Sequence, residues 1–175
     1  MVASENPAST FGMRLAGLTS IASSAIAAVA VVLLFAMYIA FALGATPAGE
    51  TIGGINDTLT LVAYLLAVPG VLASAALLRV RRPGLVVPWA LVAVVAIAAI
   101  VVLQWQLVTG ALTFEQQIGP VSVALLALGT WFVVSAYLGV GLLPYGVGLG
   151  VLAALYVGYP LMAFRLGRSL LGRID

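Results

Sequence analysis

Three residues at the start of one apolar stretch have side chains that could do chemistry. Asp57, Thr60 and Tyr64 stand three and four residues apart, so a helix over this stretch places them on one face. A polar stripe on a membrane helix usually faces the bundle interior or a cavity. The pattern predicts either a binding surface or only a structural helix whose first amides are capped by Asn56 or Asp57.

A second polar group lies in "ALTFEQQIGP", residues 111–120, the most polar run in the later part of the chain. Thr113 followed three residues later by Gln116 fits a capping box, which pairs the first amides of a new helix. Capping does not account for Glu115 and Gln117. These two side chains therefore remain candidates for a binding role.

The preceding apolar stretch contributes one more polar side chain. Gln104 and Gln106 point in directions roughly 200° apart on a helix, so only one of them can face a bundle interior. If the helices are counted along the chain, the polar groups of one leaflet converge on a candidate ligand-binding pocket, with a wetted surface rim as the alternative. The residues expected there are Tyr38, Asp57, Thr60, Tyr64, Gln104, Glu115 and Gln117.

Composition determines the environment of these residues. Of 175 residues, 64% are hydrophobic and 7% are charged, whereas a soluble domain carries roughly 25% charged residues. The mean hydropathy of +1.25 indicates that lipid surrounds most of the chain. The sequence has no Cys and no His, which excludes disulfides and thiolate or imidazole metal sites, and no cofactor is expected. The net charge of +2 forms no basic stripe, so we expect no nucleic-acid partner.

These elements predict an all-α integral membrane protein, a five-helix bundle with short loops that forms a single domain over residues 1–175. A bilayer core about 30 Å thick requires roughly 20 apolar helical residues per span. The first span is about twice the length of a signal-peptide core, so we expect it to be retained. A Gly- and Thr-rich loop is expected over residues 44–56, and an amphipathic surface helix after Pro160. The five spans are about 13–43, 57–78, 86–108, 117–140 and 145–164.

Arginines suggest how the bundle is oriented. Arg79, Arg81 and Arg82 crowd one short loop, where the positive-inside rule applies most strongly. Arg14 falls on the same side, so the N-terminus is expected in the cytoplasm. Five spans would place the three arginines of the tail outside, which opposes this orientation.

Small residues at helical spacing indicate where helices pack in lipid. Close backbone contact is favoured there, because helices that associate in lipid gain no free energy from burying apolar groups. We expect these faces either to pack against other helices within the bundle or to form a homodimer contact. The fifth span has Gly146, Gly150, Ala154 and Gly158, and the first span has Gly12, Ala16, Ser20, Ser24 and Ala28.

The stretches "RLAGL", "NDTLTLVAYLLAVPG", "LLRVRRPG" and "LTFEQQIGP" resemble small bacterial polytopic membrane proteins of a domain-of-unknown-function family. The resemblance covers roughly Arg14 to Gly167. It implies a multi-pass protein of the bacterial inner (plasma) membrane, and it implies no activity, substrate or catalytic residue.

The sequence favours a non-enzymatic protein that binds a lipid or small amphiphile, or that serves as an accessory subunit of a larger membrane assembly. A small homodimeric transporter or channel is the alternative, supported by the stripe of Asp57, Thr60 and Tyr64. The break expected at Pro69 and Gly70 supports it too. An intramembrane lipid enzyme would depend on Asp57, Glu115 or Tyr64 for acid–base chemistry.

Overall fold

A computed structural model describes residues 7–79, 82–140 and 168 of the chain. Within these residues the structure is all-helical, with no strand. The expected fifth span, with its packing residues Gly146, Gly150, Ala154 and Gly158, lies outside the described residues. The described helices are α1 (Pro7–Ala42), α2 (Thr46–Leu78), α3 (Pro83–Val108) and α4 (Phe114–Val140).

Helix α2 begins eleven residues earlier than the sequence suggested, and this corrects the expected loop over residues 44–56. Only a short turn joins α1 to α2, with Gly44 at φ 76°, a left-handed conformation that favours glycine. Pro47 is the second residue of α2, and proline is well suited to a first helical turn. Asn56 and Asp57 consequently lie inside the helix, so neither caps its start.

The glycines that suggested a loop allow α1 and α2 to approach closely. A Cβ atom added to Gly49 would lie 2.7 Å from the Phe41 ring, and one added to Gly53 would lie 3.0 Å from the Met37 sulfur. Packing of these α1 side chains against the bare backbone of α2 compensates for the low helix propensity of glycine. Tertiary packing therefore converts an apparent loop into about three further turns of helix.

Further along the same contact, the Ser23 hydroxyl donates a hydrogen bond of 2.7 Å to the carbonyl oxygen of Ala63. Together these contacts define the α1–α2 seam, which runs from Phe41 and Gly49 at one end to Ser23 and Ala63 deeper in the bundle. Because residue numbers rise on one helix as they fall on the other, the two helices are antiparallel.

The buried face of α2 repeats with a spacing of four and three residues, the heptad pattern of closely packed helices. Nearly all of its members are small. In α1, Ala16, Ser20 and Ser24 of the expected ladder are buried, whereas Gly12 and Ala28 are exposed. A strict four-residue spacing drifts around a helix of 3.6 residues per turn, which explains the difference. This repeat consists of Gly49, Gly53, Asn56, Thr60, Ala63, Ala67, Gly70 and Ser74, and the larger Tyr64, Val71 and Leu78 are buried on α2 as well.

Neighbouring helices in the sequence are neighbours in space: α1 packs on α2, α2 on α3, and α3 on α4. This follows the short connections, the third of which, between α3 and α4, turns at Gly110 with φ 73°. The α1–α2 and α3–α4 turns therefore lie at one end of the bundle, and the α2–α3 turn lies at the other.

Charged side chains separate between these two ends. Among the described residues of α1 to α4 and their turns, the acidic groups lie toward the end that holds the α1–α2 and α3–α4 turns. The arginines lie toward the opposite end, at the start of α1 and around the α2–α3 turn. We call these the acidic end (Glu50, Asp57 and Glu115) and the basic end (Arg14, Arg79 and Arg82).

All four described helices are long and apolar enough to cross a membrane. Much of their surface consists of exposed large hydrophobic side chains, and these require an apolar environment. The chain is thus a multi-pass helical membrane protein with at least these four spans.

Candidate functional site

A cavity of about 200 Å³ lies between α1 and α4, toward the acidic end of the bundle. Helix α2 forms its inner wall, and α3 contributes the side chain of Gln104. The four helices thus meet around this space without filling it.

Six of the seven side chains expected in a polar pocket line this one cavity. They come from four different helices, so convergence depends on the fold and not on closeness in sequence. The six residues are Tyr38, Asp57, Thr60, Tyr64, Gln104 and Gln117.

The seventh residue, Glu115, does not line the cavity. It is exposed in the first turn of α4, next to the capping box, which the structure confirms. The Thr113 amide donates to Gln116 Oε1 over 3.0 Å, and the Gln116 amide donates to Thr113 Oγ1 over 3.4 Å. Glu115 and Gln117 lie two residues apart on a helix and so point about 200° apart, which is why only Gln117 faces inward.

A glutamine pair joins α3 to α4 at the cavity. Gln117 Nε2 donates a hydrogen bond of 2.9 Å to Gln104 Oε1, and the two residues are only 2% and 3% exposed. One amide NH₂ group and one amide carbonyl are not used by this bond. The pair therefore holds the two helices together and still offers both a donor and an acceptor beside the cavity.

Asp57 is the carboxylate among the residues that line the cavity. Asn56, which is buried beside it, donates to Asp57 Oδ1 over 3.4 Å, a long bond compared with the usual 2.9–3.0 Å. A carboxylate offers about four acceptor positions, so this contact uses only a small part of its capacity. Asp57 is half-buried, and most of its hydrogen-bonding capacity remains for other groups.

The apolar part of the lining comes mainly from α1 and α4. Tyr38 is 51% exposed, and Phe114 and Ile118 are exposed to a similar extent, so the cavity opens to the surroundings between these two helices. The side chains farther inside are largely buried and small. The apolar lining residues are Ala27, Ala30, Val31, Leu34, Ala63, Phe114, Ile118 and Val121.

Sequence reasoning missed several residues of the site. For Asn56, the sequence predicts only a capping role that it could share or exchange with Asp57, because the loop before the helix is expected to reach residue 56. The α1 alanines were overlooked, since alanine in an apolar helix carries no chemical signal. The spacing of Ala27, Ala30 and Leu34 by three and four residues, in line with Tyr38, was the available signal.

The fold and the cavity together define the class: a multi-pass α-helical membrane protein with an amphipathic cavity that opens between two of its helices. No family model matches the chain, and neither a curated protein nor a solved structure matches it. The resemblance to a domain-of-unknown-function family stays a prediction.

Proposed function

We propose that the protein is a non-enzymatic membrane protein of five spans that binds a lipid or small amphiphile in the cavity between α1 and α4. It acts alone, as a homodimer, or as the ligand-holding subunit of a larger membrane assembly. The bilayer itself is then both its solvent and the source of its ligand.

One observation carries this proposal: the cavity is amphipathic and open at its side. Its polar groups include Asp57, Asn56 and the glutamine pair, and its outer part is apolar. A ligand site typically has a mainly apolar lining with a few polar groups that fix orientation. An opening between two lipid-facing helices suits a molecule that enters from the bilayer with its chain still in lipid.

The depth of the cavity agrees with such a ligand. Gln104 lies about 13 Å from the midpoint of α3 at 1.5 Å per residue. Half of a hydrocarbon core about 30 Å thick is about 15 Å. A centred α3 places the glutamine pair near the boundary between acyl chains and headgroups, where the polar part of an amphiphile resides.

The separation of charges supports an orientation. If the basic end, with Arg14, Arg79 and Arg82, faces the cytoplasm as the positive-inside rule favours, the N-terminus is cytoplasmic. The acidic end and the cavity then face the outer leaflet of a bacterial inner (plasma) membrane. A reporter fused after the α1–α2 turn tests this orientation, because a cytoplasmic signal there reverses it.

Native mass spectrometry of the protein in mild detergent tests binding. We expect co-purified lipid or amphiphile on the natural protein and its loss from Ala30→Leu, which fills the cavity. Ala28→Leu makes the same change on the exposed face of α1 and should keep the ligand. A natural protein that is always bare, or equal ligand loss in both variants, would refute the proposal.

A transport role is the second candidate, and one observation favours it. Asp57, Thr60 and Tyr64 all line the cavity, so the polar stripe of α2 faces a space through which a solute could enter. In proteoliposomes, flux of a solute that Asp57→Asn abolishes would support transport. Flux that survives substitution of every residue in the stripe would exclude this path.

A further inference from the structure

We infer that the preferred occupant of the cavity is an amphiphile with a positively charged nitrogen in its headgroup, such as an alkylammonium. This inference rests on the proposed amphiphile binding and specifies the chemistry of the ligand. Three features of the described residues support it: the charge of Asp57, the aromatic side chains that line the same cavity, and the placement of the arginines away from it.

The charge of the cavity is the first feature. Asp57 is half-buried, and its hydrogen bond from Asn56 is long. Carboxylates at membrane depth are costly and usually pair with a cation or face a polar cavity. A ligand ammonium group near Asp57 supplies a positive charge, whereas a phosphate or carboxylate headgroup would meet a like charge.

Aromatic rings are the second feature. Tyr38, Tyr64 and Phe114 line the same cavity from α1, α2 and α4. Cations are attracted to aromatic ring faces, and cages of such rings are a common way to bind quaternary ammonium groups. Rings on three sides of a cavity that also contains a carboxylate favour an organic cation over a neutral headgroup.

The third feature concerns the groups that would bind an anion. In residues 7–79, 82–140 and 168, no arginine lines the cavity, and Arg14, Arg79 and Arg82 lie at the basic end. The start of α4 is close to the cavity, but its Gln116 amide already bonds to Thr113 Oγ1. The described residues thus offer the cavity one negative charge and no positive one.

A headgroup series with a constant chain tests the inference. Purified protein in a mild non-ionic detergent is titrated with dodecyltrimethylammonium, dodecanol or laurate at fixed ionic strength, and bound probe is counted by native mass spectrometry. We expect the ammonium probe to bind at least tenfold more tightly than either of the others. Tetramethylammonium, which has the head without the chain, should bind far more weakly.

Asp57→Asn should remove the preference for the ammonium probe without reducing dodecanol binding. The control Glu50→Gln changes the same charge on an exposed site in α2, outside the cavity, and should retain the preference. Equal changes in both variants would show a general surface-charge effect and overturn the inference.

The other outcomes separate this inference from the proposed function. If the three dodecyl probes bind equally and Ala30→Leu abolishes binding of all, amphiphile binding stands and the cationic preference is wrong. Tighter binding of laurate overturns the inference in the same way. Tight binding of tetramethylammonium also overturns it, because the occupant would then not need an alkyl chain. If no probe binds, the proposed function itself fails.

Discussion

The buried face of α2 shows two opposite solutions to the packing of a helix in lipid. Along the α1–α2 seam, small residues bring two backbones together, and Ser23 reaches the carbonyl of Ala63. Where the same helix meets the space between α1 and α4, its polar residues border a cavity of about 200 Å³. One helix therefore combines a tight structural contact with a space of the size that a small ligand requires.

The difference shows that polarity in this protein has two separate uses. Ser23 at the seam is fully buried and bonds to a neighbouring backbone, so its polarity serves stability. Asp57 and the glutamine pair retain hydrogen-bonding capacity beside the cavity. Substitutions at the seam should therefore change stability, and substitutions at the cavity should change binding.

The largest effect is expected from an added side chain at the seam. Ser23 is 0% exposed, so Ser23→Leu should destabilise the protein by about 1–3 kcal/mol through overpacking. It also removes the hydrogen bond to the Ala63 carbonyl, which adds about 0.6 kcal/mol. Thermal unfolding in detergent would show a clear fall in Tm. Ala30→Leu, two helical turns away on the same helix, has the cavity to expand into and should cost less than about 1 kcal/mol. An equal fall in Tm for Ser23→Leu and Ala30→Leu would contradict the distinction between a tightly packed seam and an unfilled cavity.

A smaller effect is expected when the glutamine pair is broken. Gln104→Leu or Gln117→Leu leaves a buried amide without its partner, at a cost of about 1–3 kcal/mol. The double variant should cost less than the sum of the two single variants, with a coupling of about 0.6 kcal/mol, as measured for membrane helices. Strict additivity in this double-mutant cycle would mean that the bond contributes nothing to the α3–α4 contact.

A still smaller effect is expected from the loss of the seam hydrogen bond alone. Ser23→Ala removes the hydroxyl and keeps the small volume, so it should lower stability by about 0.6 kcal/mol. Ser122→Ala is the control, because that hydroxyl bonds within its own helix to the Ile118 carbonyl and is exposed. A loss at Ser122 as large as that at Ser23 would contradict the role given to the bond between helices.

Glu115→Gln should have the smallest effect of all. Glu115 is exposed and lies outside the cavity lining, so ligand binding should stay within twofold of the natural protein. Titration of dodecyltrimethylammonium measures this directly. A loss of binding affinity as large as that of Asp57→Asn would show that Glu115 belongs to the site.

Much of the described fold follows from composition and helical spacing. Continuous apolar runs predict helices, and short connections predict antiparallel neighbours. The start of α2 could not be predicted, since glycine and threonine near residue 50 normally indicate a loop. Here Gly49 and Gly53 permit contact with Phe41 and Met37, and only the packed structure reveals that contact.

The candidate site was predictable to a similar degree. Polar residues are rare in the chain, so those near one end of the helices were natural candidates, and six of them line one cavity. The expected place of Glu115 in the pocket was wrong, because counting helices gives the depth of a residue in the bilayer but not the direction in which its side chain points. The alanines of α1 were missed because they contribute to the cavity only by being small, which leaves space that larger side chains would fill.

The brevity of the turn at Gly44 has a consequence for how the protein is made. Because only a few residues separate α1 from α2, their contacts are local in sequence, and local contacts form rapidly. The hairpin of α1 and α2 can assemble during synthesis, before α3 and α4 have left the ribosome. The space beside Asp57 then comes into being only when α3 and α4 dock against this hairpin.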